Sequence, residues 1–167
     1  MDVLFVRHGS AEPAGREGDS ARRLTAEGKE ESRRTARALV AMGVDLQAVL
    51  TSPLVRAAET AGIVAKVLGA SDPIQADCLA PPGDVEELRT RLKGFEADGA
   101  KAVAVVGHAP SLDEFIARLA AGADDVGISL SKAGAACVTL PAPRSAKPPE
   151  LRWLMHRRQL AMIAGGR

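Results

Sequence analysis

Val3-Leu4-Phe5-Val6-Arg7-His8-Gly9-Ser10-Ala11-Glu12-Pro13 is the stretch whose reading decides the fold. Its first four residues are apolar without a polar break, and β-branched and aromatic types dominate them. Such a run reads as a strand buried on both faces, as in the middle of a parallel sheet. The run stops at Arg7-His8-Gly9. A cation and an imidazole therefore stand at the carboxyl end of a central strand, where open α/β sheets bind their ligands. Gly9 is read as a point where the backbone turns and comes close to a ligand.

Alone, Arg-His-Gly is a weak tripeptide. A second apolar run, Ala102-Val103-Ala104-Val105-Val106-Gly107, ends in His108. Between the two, Ser52-Pro53-Leu54-Val55-Arg56-Ala57-Ala58-Glu59-Thr60-Ala61 follows a short strand over Leu46 to Leu50 and opens a helix. Thr51-Ser52 reads as its cap, with Pro53 at the first helical position, where a missing N–H costs nothing. Arg56 falls in the first turn. Two histidines and two arginines at strand ends and a helix start suit a phosphoryl group. Arginine offers a fork for two oxygens, and a helix N-terminus adds free N–H groups. The residues themselves leave His8 and His108 open as nucleophile. No His-x-x-x-His or acidic cluster surrounds either, so neither a metal nor a cofactor is expected.

These segments together carry a family resemblance. Arg7-His8-Gly9 after the first strand, Ser52-Pro53-x-x-Arg56-Ala57-x-x-Thr60, and a strand ending in Gly107-His108 resemble the histidine phosphatase superfamily, with its phosphoglycerate mutase-like fold. The short chain, Arg22-x-Leu24-Thr25-x-x-Gly28 and Pro82-Gly83-Asp84-Val85 are most similar to the SixA-type phosphohistidine phosphatases. The resemblance covers residues 1 to about 120; the last third matches only in general pattern. It implies that His8 is the nucleophile and carries a transient phosphoryl group. Arg7, Arg56 and His108 would hold the oxygens, with Arg22, Gly9 and Ser10 on the substrate. Arg23 sits where relatives often carry Pro. The implied partner is a phosphorylated protein of the histidine-phosphotransfer type.

One departure matters. Mutases and phosphomonoesterases of this superfamily carry a Glu general acid after the third strand. Here the equivalent stretch is Cys78-Leu79-Ala80-Pro81-Pro82-Gly83-Asp84, with no carboxylate where the Glu would stand. Asp84 is better explained as a helix cap, followed by Glu86 and Glu87. An open site without a strong acid fits a protein-borne phosphoramidate. The alternatives are a small-molecule phosphomonoesterase of the same superfamily and a non-catalytic binder of phosphorylated domains. The intact set of Arg7, His8, Arg56 and His108 argues against the binder.

Composition narrows the classes further. The 167 residues suit one domain with a real core. Lys and Arg number 22 against 21 Asp and Glu, so charge gives no reason to expect nucleic acid or membrane as a partner. With aromatics at 2%, no Tyr and only Trp153, a base-stacking platform is not expected. Cys78 and Cys137 read as buried reduced thiols. No apolar run reaches spanning length and no basic segment precedes one, which points to a cytoplasmic protein. Oligomeric state is not written in the sequence.

Along the chain, residues 13–24 read as a polar loop carrying Arg16, Arg22 and Arg23. Thr25 caps a helix running to about Met42 and stopping at Gly43. Its inner stripe is read as Ala36, Leu39, Val40 and Gly43, and its outer face as Glu30, Glu31, Arg33, Arg34 and Arg37. The second helix buries Ala57, Ala61, Val64, Ala65 and Leu68. Glu59 either holds Arg56 or is an ordinary surface carboxylate, the latter being favoured. A short strand follows at Pro73 to Ala76. Helices are then expected over Val85 to Ala97 and from Ser111 to Gly122. Ala135 to Leu140 and Leu151 to Met155 read as a hairpin, one strand of which extends the mostly parallel sheet antiparallel at its edge. His156 is read as a structural or surface residue, a short helix closes the chain, and Gly165-Gly166-Arg167 should fray. The expected fold class is α/β, a three-layer α/β/α domain over residues 1–167.

Overall fold

The computed structural model describes residues 1–123, 126–143 and 145–165. Gly166 and Arg167, expected to fray, lie outside the described residues. Strand β1 (Asp2–Arg7) is followed by α1 (Ala26–Ala41), β2 (Ala48–Thr51), α2 (Val55–Leu68) and the two-residue β3 (Ile74–Gln75). A 3₁₀ turn at Asp77–Leu79 leads into α3 (Val85–Ala97), β4 (Ala102–Gly107) and α4 (Ser111–Ala121). The hairpin β5 (Ala135–Thr139) and β6 (Glu150–Met155) precedes α5 (Arg157–Ile163).

The six strands form one sheet in the order β3-β2-β4-β1-β5-β6. β1 lies parallel to β4, as β4 does to β2 and β2 to β3. β5 pairs antiparallel with β1 and with β6, so both strands of the hairpin, where one was expected, extend the parallel part. β1 is central, and alternation along it explains the layers. Val3 and Phe5 face one way, into a core with Leu88 and Leu92 of α3 and Leu112, Phe115 and Ile116 of α4. Leu4 and Val6 face the other, against Ala36 and Leu39 of α1, Ala57, Ala61 and Val64 of α2, and Leu160 of α5. Both faces of β1 are dry, so an unbroken apolar run costs nothing there.

Helix ends follow local chemistry. Thr25 accepts a hydrogen bond from the Gly28 amide at the start of α1, and Gly43 beyond its end has φ +76°. Asp84 accepts from the amides of Glu86 and Glu87 at the start of α3. Three expectations need correction. Helix α2 begins at Val55 with Leu54 as its cap residue, so Pro53 lies before the helix and Ser52 does not cap it. Ser52 instead serves His108, whose Nε2 lies 2.8 Å from its hydroxyl. Val40 is exposed, because α1 packs through Ala36 and Leu39 and turns Val40 outward. Glu31, assigned to the solvated face, is buried; its carboxylate accepts from the Ser10 amide at 2.8 Å and pairs with Arg157. A buried carboxylate persists only with such partners.

Candidate active site

Parallel register brings the two histidines together. Arg7 lies opposite Gly107 across β1 and β4. The next residue on each strand is a histidine, and the His8 amide donates to the Gly107 carbonyl at 3.1 Å. The ring centroids of His8 and His108 stand 5.0 Å apart. On the far side of β4, Thr51 pairs with Val106, so the chain leaving β2 places Ser52 beside His108.

The protonation state of His8 follows from its partners. Its Nδ1 lies 2.7 Å from the carbonyl oxygen of Gly9, which can only accept, so Nδ1 carries the proton. Its Nε2 receives the Nε–H of Arg56 at 3.3 Å and therefore presents a lone pair. Burial lowers the His8 pKa to about 4; the Gly9 hydrogen bond opposes this, while Arg56, Arg7 and the exposed Lys132 push it down further. His8 is thus a neutral imidazole with Nε2 free to react near neutral pH.

His108 is oriented through its Nε2, 2.8 Å from the hydroxyl of Ser52. That hydroxyl oxygen accepts from the Leu54 amide at 3.3 Å. With the Leu54 amide on an oxygen lone pair, the Ser52 proton is available to Nε2. Where Ser52 donates to Nε2, His108 carries its own proton on Nδ1; that nitrogen is buried and has no partner. Burial first, then the nearby His8 and Arg56, lower its pKa to about 3.

Arg7 closes β1 and donates from Nη1 to the Leu130 carbonyl at 2.7 Å. Its Nε is buried without a partner. The turn before β5 is strapped to this corner: Ala133 donates to the Arg7 and His8 carbonyls at 3.1 and 3.2 Å. Thr35 of α1 donates to the Ala133 carbonyl at 2.7 Å. Arg56 is almost fully buried on the first turn of α2. Thr60 donates to its carbonyl at 2.8 Å and accepts from the Gly9 amide at 3.3 Å, tying α2 to the end of β1. Arg7, His8, Arg56 and His108, picked out in the sequence, thus converge.

The remaining expectations divide. Arg22 reaches the site indirectly: its Nη1 pairs with Asp19 at 2.9 Å, and Asp19 also holds Arg56. Arg23 turns away to Glu59. Glu59 does not touch Arg56; it is a partly buried anchor that also accepts from the Leu24 amide at 2.7 Å. Gly9 does approach something closely, but that partner is α1. A Cβ on Gly9 would stand 2.5 Å from the Gly28 carbonyl oxygen and 2.8 Å from the Ser32 hydroxyl. Ser10 likewise spends its main-chain groups internally, on Glu31 and on the Thr25 amide. His156 is exposed and precedes α5. Glu86 and Glu87 pair with Arg89 and Arg91 on the surface of α3. Cys78 and Cys137 are buried free thiols, both pushed up in pKa by burial.

Sequence reasoning missed Asp19, Ser52 as partner of His108, and Lys132. The one signal for Asp19 was a carboxylate three residues before Arg22 in an arginine-rich loop. Among the described residues no helix is long and apolar enough to cross a membrane, and no cluster of His, Cys, Asp and Glu forms a metal site.

Comparison with known proteins gives a consistent picture. The family model of the histidine phosphatase superfamily (branch 1) matches residues 3–139. The phosphohistidine phosphatase SixA of Escherichia coli is 34% identical over 125 residues, covering 73% of this chain and 76% of that protein. The solved structure of the protein histidine phosphatase SixA complexed with tungstate superposes with a TM-score of 0.84 at 30% identity, covering 96% of this chain and 99% of that one. An Escherichia coli structure described as an alpha-ribazole-5'-P phosphatase shares the fold at a TM-score of 0.75 and 20% identity, covering 94% of this chain and 97% of that one.

Proposed function

Since the chain belongs to the histidine phosphatase superfamily and is a phosphatase of SixA type, we propose that its substrate is phosphohistidine borne on another protein. One observation carries this reading. Two buried nitrogens without partners, Arg7 Nε and His108 Nδ1, stand at the same corner as the unprotonated Nε2 of a neutral His8, which receives the Nε–H of Arg56. Buried donors normally find acceptors. Here they suit the non-bridging oxygens of a phosphoryl group on its way to or from Nε2.

The proposed reaction has two steps. The lone pair of His8 Nε2 attacks phosphorus as the bond from phosphorus to the substrate nitrogen breaks. Arg7 and Arg56 neutralise charge on the oxygens in the transition state, with the neutral His108 hydrogen-bonded beside them, and such charge stabilisation dominates phosphoryl transfer. Water then attacks the phosphohistidine, the bond to Nε2 breaks, and inorganic phosphate leaves with the proton from water. His8 returns to its neutral tautomer, with Nδ1–H on the Gly9 carbonyl.

The leaving group supports nitrogen over oxygen. An alkoxide leaves poorly without a proton delivered in the transition state, help worth roughly 10²–10⁴-fold. The segment Leu79-Ala80-Pro81 offers no carboxylate, Asp84 is spent capping α3, and burial keeps His108 neutral. A phosphorylated imidazole takes a proton from solvent on its other nitrogen and departs neutral. The test is kcat/KM for a phosphohistidine-bearing domain, an aryl phosphate and a sugar phosphate. The expected order is that order. A sugar phosphate turned over as well as phosphohistidine would replace this reading with a small-molecule phosphomonoesterase.

A further inference from the structure

Resting on that phosphatase reading, we infer that Asp19 is a latch, a carboxylate within the chain that holds the phosphoryl-binding arginines until substrate displaces it. Arg56 donates from Nη1 to the Asp19 carbonyl at 2.7 Å and from Nη2 to its carboxylate at 2.9 Å. The other carboxylate oxygen takes Arg22 Nη1 at 2.9 Å. One side chain thus bridges the arginine of α2 and the arginine that sequence resemblance assigns to substrate. The next residue does the same to the helix: the Ser20 carbonyl accepts from the Val55 amide at 3.2 Å, in the first turn of α2. Acceptors from two adjacent residues occupy guanidinium and helix-terminal donors of the kind that bind phosphate.

The closed arrangement exposes little of the site to a protein-borne phosphohistidine. His8 is 7% exposed, Arg56 5% and His108 2%. The Asp19 side chain is 59% exposed, so ion pairs rather than packing keep it in place. A carboxylate built to support a buried arginine permanently would be buried beside it, because its hydrogen bonds strengthen out of water. The segment is also shaped to move as a unit. Its base is closed by Glu12 donating to the Arg23 carbonyl at 2.8 Å and by Leu24 on Glu59 at 2.7 Å. Between these, residues 13–22 form a flap with a tight turn at Gly15–Gly18, where Gly18 has φ +84°. Asp19 and Ser20 are its point of attachment to α2.

Displacement follows from charge. A phosphoryl dianion carries more negative charge than a carboxylate and offers three oxygens, so it outcompetes Asp19 for Arg56 and Arg22. Once bound, it repels the released carboxylate and keeps the flap open. Arg22, indirect in the closed form, then reaches the phosphoryl group.

The experiment compares wild type with Asp19→Asn and Asp19→Ala. Binding of inorganic phosphate is measured by calorimetry, and carbethoxylation of His8 by diethyl pyrocarbonate is followed by peptide mass spectrometry. Removing a competitor held by exposed ion pairs should tighten phosphate binding by roughly three- to tenfold. His8 should also react several-fold faster in Asp19→Ala. Phosphate binding unchanged or weakened in both variants, with wild type still binding phosphate, would overturn the latch and make Asp19 a support for Arg56. No phosphate binding in any of the three proteins, or carbethoxylated His8 that still binds phosphate as before, would overturn the site reading itself.

Discussion

The Nε–H of Arg56 points at Nε2 of His8 from 3.3 Å, so the cation on α2 is aimed along the direction in which the imidazole would attack. The contact joins helix to strand end across 48 residues of sequence. It fixes His8 with its reactive nitrogen unprotonated, and it sets a guanidinium beside any phosphoryl group that reaches that nitrogen. Arg56→Lys keeps the charge but loses the planar fork and its spread of donors. Loss of one preorganised donor at a developing charge costs about 10²–10³-fold in kcat. Activity of Arg56→Lys within a few-fold of wild type would mean that charge alone suffices.

The tautomer of His8 decides which nitrogen takes the phosphoryl group. Incubation with a labelled phosphohistidine domain, quenched without acid, should leave label on His8, in an adduct that is labile to acid and stable to alkali. The attachment should be to Nε2, since Nδ1 donates to the Gly9 carbonyl at 2.7 Å. His8→Ala should stay folded and lose both label and turnover. Label on His108, or full turnover in His8→Ala, would reverse the roles of the two histidines.

Gly9 gives a test of packing. Its missing Cβ is what lets β1's end lie against Gly28 and Ser32 of α1. Gly9→Ala forces the two segments apart, and overpacking of this kind costs about 1–3 kcal/mol. The same displacement moves the Gly9 carbonyl that holds His8 Nδ1, so kcat should fall along with stability. Urea denaturation and steady-state kinetics on one variant check both. Wild-type stability in Gly9→Ala would show that the neighbouring backbone yields freely.

The parts of the molecule that were legible in the sequence are those governed by local rules. An unbroken apolar run at Val3–Val6 announces a two-sided strand. Thr25, Asp84, Gly43 and Gly122 mark helix ends by their own chemistry. The register that sets His8 beside His108 was implicit in two apolar strands each ending in histidine. What stayed hidden depends on long-range contact. Glu31 looks like any surface glutamate until the Ser10 amide and Arg157 arrive from elsewhere in the chain. Ser52 resembles a helix cap, because Ser-Pro usually is one; His108, 56 residues on, claims its hydroxyl instead. Asp19 lies in a polar loop whose docking on α2 no periodicity encodes.

The two histidines also set how the protein responds to acid. Burial holds His8 near pKa 4 and His108 near 3, whereas in an unfolded chain each takes a proton near pH 6.5. Between those limits the unfolded state binds more protons, so stability rises with pH there and falls as pH drops. The contribution is complete above about pH 7 and is lost progressively as pH falls through 6.5 toward the folded values. Unfolding free energy measured in urea should therefore decline from pH 7 to pH 5, a range in which few carboxylates titrate. His108→Asn should decline less, because one of the two groups is gone. Catalysis should behave differently over the same range. His8 in the folded protein remains a neutral nucleophile at pH 5, and acid protonates the leaving imidazole, so single-turnover phosphorylation of His8 should not slow from pH 7 down to about 5. A rate that halves near pH 6.5 would place His8 in water-like surroundings and contradict the buried, arginine-flanked site from which its role is argued.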